Sequence, residues 1–276
     1  MPPINLIKIE AKKSLSNKWS VSLAVGAVIV AMFAVAAVSI MLFNSVFSLF
    51  LGRIASLLLS VVIILFLWQF LGVPLLYGTL RWAWYTDLKY DVPFFEVFYY
   101  FNNGYNYVRA ISLGFRIFLR IVFIIALCFA PSVIIAVICM PKFYNLLDFS
   151  MPYFVSSLWT LGNVLKIFGA TVSIILLVRY FTAPILLIND EKISPQEALN
   201  LSVVISKFVN GKTISFILSF AGWAVVSLLV IPLFYVVPYF LTAYAEYCQS
   251  IIVNYNNIAE IKAKQRYPFY EPNRFR

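Results

Sequence analysis

Residues 20–43 and 54–78 run without a single charged side chain. Apolar runs of at least the ~20 residues that cross ~30 Å of hydrocarbon recur along the chain. Hydrocarbon offers no water to a free peptide group, so runs of this kind fold as helices that bond their own backbone. The chain is 63% hydrophobic and 12% charged, with a mean hydropathy of +0.91. A soluble domain carries about 25% charge. The fold class expected is all-α: a polytopic membrane protein with six transmembrane helices arranged as three hairpins, each preceded by a cytoplasmic interfacial helix.

The N-terminus does not read as a cleaved leader. Lys8, Lys12 and Lys13 resemble its basic start, but the apolar run after Trp19 reaches about Phe43, beyond the about 7–15 residues of a signal core. Ile4, Ile7, Ala11 and Leu15 instead form one helical stripe within residues 4–16, as in a helix lying in the membrane interface. Cys128, Cys139 and Cys248 stand alone and there is no histidine. The usual zinc and haem ligand patterns are therefore missing, and no cofactor is expected.

In chain order the spans fall at about 20–43, 54–78, within 107–139, near 166–188, 212–231 and 238–256, with outer loops near 44–53 and 140–152. Residues 153–164 read as an outer, partly interfacial lead-in to span 4. Pro232 and Pro238 are expected to bracket the last outer turn. Phe94–Phe101 reads as a short aromatic helix after Asp91 and Pro93. Ser194-Pro195-Gln196-Glu197 is a strong helix start, with a capping serine, proline in the first turn and glutamate three residues after the cap. The stripe expected behind it is Ala198, Leu201, Ile205 and Phe208.

A degenerate repeat runs through this plan. Val73-Pro74-Leu75-Leu76 matches Ala183-Pro184-Ile185-Leu186, and Phe101-Asn102-Asn103-Gly104 matches Phe208-Val209-Asn210-Gly211. Proline and asparagine are 29 residues apart in the first copy (74 to 103) and 26 in the second (184 to 210). The domain is then residues 1–256, in units of about 1–78, 91–188 and 194–256, followed by a basic cytoplasmic tail, 257–276. Two spans per unit put every interfacial helix on one side. Of the 21 Lys and Arg residues, 17 lie at the face of the interfacial helices, whereas only Arg53 and Lys142 lie in outer loops. The positive-inside rule makes the first face, and both termini, cytoplasmic. The net charge of +10 then serves topology and attraction to anionic lipid headgroups. It is spread too thinly along the headgroup layer for a nucleic-acid surface.

Charged groups inside spans are the candidate site residues. Arg109, Arg116 and Arg120 share a helical face, Arg179 precedes Pro184, and Glu246 lies in the last span. Two readings stand. In one, Arg116, Arg120 and Arg179 hold an anionic group in a cytoplasm-facing cavity with Glu246 as counter-ion; in the other, the arginines reach out to headgroups while Glu246 pairs with one of them for packing. No P-loop, G-x-S-x-G or acid/base carboxylate pair is present, so the chain is not expected to be an enzyme.

Ala11-Lys12-Lys13 through Trp19, Val73-Pro74-Leu75, Ile193 to Lys212, Ser219-Phe220-Ala221-Gly222-Trp223, and Pro238-Tyr239 leading to Ala243, Ala245 and Tyr247 resemble a bacterial integral-membrane family catalogued as domain of unknown function 975. That family is similar to the membrane domain fused to some glycerophosphodiester phosphodiesterases, whose catalytic domain this chain lacks. The resemblance implies a bacterial plasma-membrane protein of six spans. The function expected is a non-enzymatic accessory or scaffold of membrane transport or envelope function, with a transporter subunit as a possible partner. The alternative is a carrier or binder of an anionic lipid or amphiphile.

Overall fold

A computed structural model describes residues 2–16, 18–50, 52–139, 152–229 and 231–266. The outer loop expected at 140–152 and the end of the tail fall almost wholly outside the described residues. Among the described residues twelve α-helices carry the fold: α1 (Ile4–Leu15), α2 (Trp19–Phe47), α3 (Arg53–Leu67), α4 (Val73–Asp87), α5 (Tyr99–Asn102), α6 (Gly104–Ile138), α7 (Pro152–Leu177), α8 (Ala183–Asn189), α9 (Pro195–Ser206), α10 (Asn210–Leu218), α11 (Ala221–Val226) and α12 (Leu233–Arg266). A 3₁₀ turn, Phe94–Phe98, runs into α5, so the short aromatic helix forms close to where the sequence places it. Among the described residues there is no strand.

Among the described residues five helical stretches are long and apolar enough to cross a membrane: Trp19–Phe47, Ile54–Asp87, Gly104–Ile138, Ser156–Asn189 and Asn210–Leu229. The chain is a membrane-embedded helical protein. The sixth expected span lies in α12, which is not one of these stretches. Its buried face, with Tyr239, Thr242, Tyr244 and Tyr247, is covered by protein, and a helix shielded from lipid has no need of a uniformly apolar surface.

Three boundaries differ from expectation. Residues 156–164 are not a separate lead-in but part of α7, which continues to Leu177 before a break at 178–182. Pro238 lies inside α12. The turn is made at 231–232. The stripe of α9 is rotated: Ala198, Leu199, Ser202, Ile205 and Ser206 are buried, while Phe208 is exposed.

The helices divide into rods and a knitted end. α6 and α7 form an antiparallel pair in which glycines set the contact. Gly162 faces Ile135 and Gly169 faces the Cys128 carbonyl, where an added Cβ would meet oxygen at 2.6 Å. Small residues let rods approach in lipid, where no hydrophobic force drives helices together. Most other rod side chains, such as Phe33, Leu58, Phe123 and Phe168, point outward and exposed.

At the other end the short helices dock in a circuit. α1 packs along α12, the Phe94–Phe98 turn packs on α4, and α9 packs on α8 and the break before it. Each opening segment thus leans on the last helix of the preceding unit, and α1 closes the ring on α12. The stripe Ile7, Ala11 and Leu15 is accordingly buried in protein, not laid against lipid.

The repeat's prolines shape this end. Proline lacks an N–H and frees the carbonyl four residues earlier. Pro74 frees Phe70, behind a π-helical turn at Trp68–Gly72, and Tyr107 Oη donates to that carbonyl at 3.0 Å. At the second break, ahead of Pro184, Ser202 Oγ donates to the Arg179 carbonyl at 2.7 Å and Tyr244 Oη to the Phe181 carbonyl at 2.5 Å. At the break between α10 and α11, Lys8 Nζ donates to the Ser219 carbonyl at 2.7 Å. Side chains therefore satisfy backbone groups that apolar surroundings would leave costly.

Candidate functional site

The charged residues of the knitted end fall into two clusters. The first is built on α4. Arg81 is buried and its Nε donates to Glu96 at 2.6 Å, while its Nη1 reaches Glu191 at 3.4 Å. Its guanidinium stacks on Tyr99, 3.6 Å from the ring centre. Tyr99 Oη in turn donates to Glu191 at 2.9 Å and accepts from Asn106 at 2.9 Å. Burial and the bond to Glu191 push the Tyr99 phenol above its ordinary pKa. Arg109 completes the latch by donating to the carbonyls of Asp190 and Ile193, at 3.0 and 2.7 Å. The turn between α8 and α9 is thereby held by an arginine from each of two other helices.

The turn exits into α9 through the expected capping box. Glu197 N donates to Ser194 Oγ at 3.3 Å, and Glu197 accepts from Ser194 N at 3.0 Å. That backbone bond holds the Glu197 carboxyl below its usual range.

The nominated residues are dispersed along these elements. Arg116 donates to Gln196 at 2.7 Å, and Arg120 lies over the Tyr180 ring at 5.3 Å. Arg179 sits in the second break with its Nε buried and unpartnered. Glu246 lines a shallow cleft with Pro2, Gln249 and Asn254.

Glu246 also belongs to the second cluster. Its carboxyl lies within hydrogen-bonding reach of Asp87, with Glu10 nearby. Both Asp87 oxygens are buried without a donor. Carboxylates only accept, so the pair closes as a hydrogen bond when a proton is shared between them. Among the described residues no group of three or more Cys, Asp or Glu is placed to hold a metal ion.

Sequence reading passed over Asp87, Glu10 and Arg81's two acid partners, Glu96 and Glu191. Arg81 sits among Trp82, Trp84 and Tyr85, a composition that also suits the headgroup layer. The signal available was the run of polar residues ending a span, but pairing across 110 residues, as for Arg81 and Glu191, leaves no local pattern.

Neither a family model nor a curated protein nor a solved structure matches the chain. The family resemblance therefore rests on the residues quoted for it.

Proposed function

We propose that this chain is a bacterial plasma-membrane protein that crosses the bilayer six times with both termini cytoplasmic. In this reading it serves membrane transport or envelope function as a non-catalytic accessory or scaffold, and it belongs with the family it resembles. The observation that carries the reading is the closed circuit of short helices. Each opening segment leans on the last helix of the preceding unit, and Arg81 and Arg109 hold the turn between α8 and α9 to the same end. From that end the rods present long apolar flanks, suited to lipid or to the helices of another subunit. Mass spectrometry of the chain in nanodiscs cut from native membranes tests it. A stoichiometric partner protein is expected, and its absence from replicate preparations would sink the scaffold reading. Single cysteines at Ser14 and Asn257 should label only from the cytoplasmic side.

A second reading is favoured by one atom, the buried and unpartnered Arg179 Nε. Here Arg116, Arg120, Arg179 and Glu246 serve an anionic amphiphile. Replacing Arg179 by Gln should then reduce the anionic lipid that copurifies with the folded protein, and unchanged retention counts against it.

A further inference from the structure

At the C-terminal end of α4 lies a cavity of about 360 Å³ lined by Lys13, Ser14, Ser16, Lys18, Thr86 and Lys89. We propose that it binds a phosphate group, and that the group is the headgroup phosphate of an anionic phospholipid. The inference goes beyond the scaffold reading and does not depend on it.

Lysines near helix C-termini have an ordinary explanation, because they complement the partial negative charge of the last carbonyls. Lys13 ends α1 and Lys89 follows α4, so charge alone proves nothing. Thr86 decides the matter. It is 1% exposed, lines the cavity, and its hydroxyl has no partner. A buried hydroxyl left unpaired costs free energy unless something outside the protein pairs with it.

The backbone gives a second sign. Lys89 has φ 64°, and it is the one non-glycine residue with positive φ among those described. That conformation ends a helix and favours glycine. A lysine there accepts strain, and strain held in place by surrounding structure clusters at working sites. Its N–H closes the helix end on the Thr86 carbonyl at 3.0 Å, which holds the strained residue at the same turn as Thr86.

The remaining groups agree in sign. Lys18 is positioned by donating to the Tyr90 carbonyl, and the exposed Asp91 lies 3.4 Å from it. Ser16 Oγ is occupied by the Lys13 carbonyl at 2.7 Å. Among the described residues the ammoniums of Lys13 and Lys89 make no ion pair. Three cations thus surround the cavity, with the exposed Asp91 at its rim and the Asp87 carboxyl near enough to Lys89 to feel its charge. Several donors around a polar space call for a ligand with several acceptor oxygens, which phosphate is. The cavity stands at the end of a membrane-crossing stretch, Ile54–Asp87, where lipid phosphates are densest.

The test uses the full chain in nanodiscs of phosphatidylcholine with or without phosphatidylglycerol. Native mass spectrometry reads retained lipid, and inorganic phosphate is titrated against thermal unfolding in the phosphatidylcholine discs. Phosphatidylglycerol should be retained over phosphatidylcholine. Lys89→Gln should cut that retention at least fivefold and Thr86→Val at least twofold. Lys207→Gln, on an exposed site away from the cavity, should leave it unchanged and so controls for general charge. Lys13→Gln serves if Lys89→Gln does not fold. A phosphate-dependent stabilisation that the same variants abolish, without lipid selectivity, would keep the phosphate site and reassign its source to free phosphate. Retention and phosphate response that match wild type in Lys13→Gln and Thr86→Val would overturn the proposal.

Discussion

The α6–α7 rods and the α4–α9 end of the molecule solve the same problem with different chemistry. Along the rods, contact is made by two glycines seven residues apart against Ile135 and Cys128, and most other side chains face outward. At the knitted end, contact is made by Arg81, Glu96, Glu191, Tyr99 and Arg109, most of it side chain to side chain or side chain to carbonyl. The difference teaches where specificity resides. Rods of nearly uniform apolar surface can slide past or rotate about each other at small cost, whereas a charged latch has one register. The position of each rod is therefore set at its knitted end.

The strongest way to break this contrast is to open the latch. Arg81→Ala leaves Glu96 partly buried and without its cation, and should destabilise the protein by about 3 kcal/mol, since removing one partner of a buried pair costs far more than the pair contributes. Thermal unfolding in detergent reads the effect. Arg120→Gln, which loses only a ring contact on a rod, should move the midpoint much less. Equal shifts would erase the distinction between the two regions.

Paired glycine substitutions come next. A Cβ on Gly78 would land on the Val97 backbone carbonyl, where α4 meets the 3₁₀ turn, whereas on Gly162 it would meet a side-chain methyl of Ile135 at 3.2 Å. Overpacking against backbone is the costlier case, so Gly78→Ala should cost about 2–3 kcal/mol and Gly162→Ala about 1 kcal/mol or less. The reverse order would mean that the rods, not the knitted end, are the rigid part.

The cap of α9 sharpens the picture on a smaller scale. Ser194→Ala should cost about 1 kcal/mol in the same unfolding assay. The Glu197 carboxyl is held below its ordinary range when folded, so its contribution is complete above the usual carboxylate pKa and lost as pH falls through the lowered folded value. Acid should therefore shift wild type slightly more than Ser194→Ala. The smallest effect belongs to the outward rod residues. Leu58→Ala, at a 60% exposed position, should change stability by less than about 0.5 kcal/mol, as measured by the same midpoint.

The parts legible in the sequence were those written in local patterns. Charge-free runs announced the rods, and Ser194 to Glu197 announced α9. Pro74 and Pro184 were legible as a repeated pair, but not as the sites of helix breaks, nor was it legible which hydroxyls would come to the freed carbonyls. Tyr107, Ser202 and Tyr244 do this from other helices. The stripe of α1 was legible as a stripe, but periodicity does not say whether lipid or protein covers it. α12 was harder. Its tyrosines and Glu246 look like a poor span until α1, α2 and α4 are placed around it. The cavity beside Thr86 joins residues from α1 and the end of α4, and no spacing in the chain brings them together.

The docking of α1 on α12 also has a history in time. Lys8 finds the Ser219 carbonyl 211 residues later in the chain. During synthesis the ribosome makes α1 well before its seat on α12. Through most of translation the stripe Ile7, Ala11 and Leu15 has no protein to cover it, and the bilayer surface is the nearest apolar phase. Until α12 emerges, the bilayer surface is therefore the expected temporary berth for α1, exchanged for protein in the finished molecule.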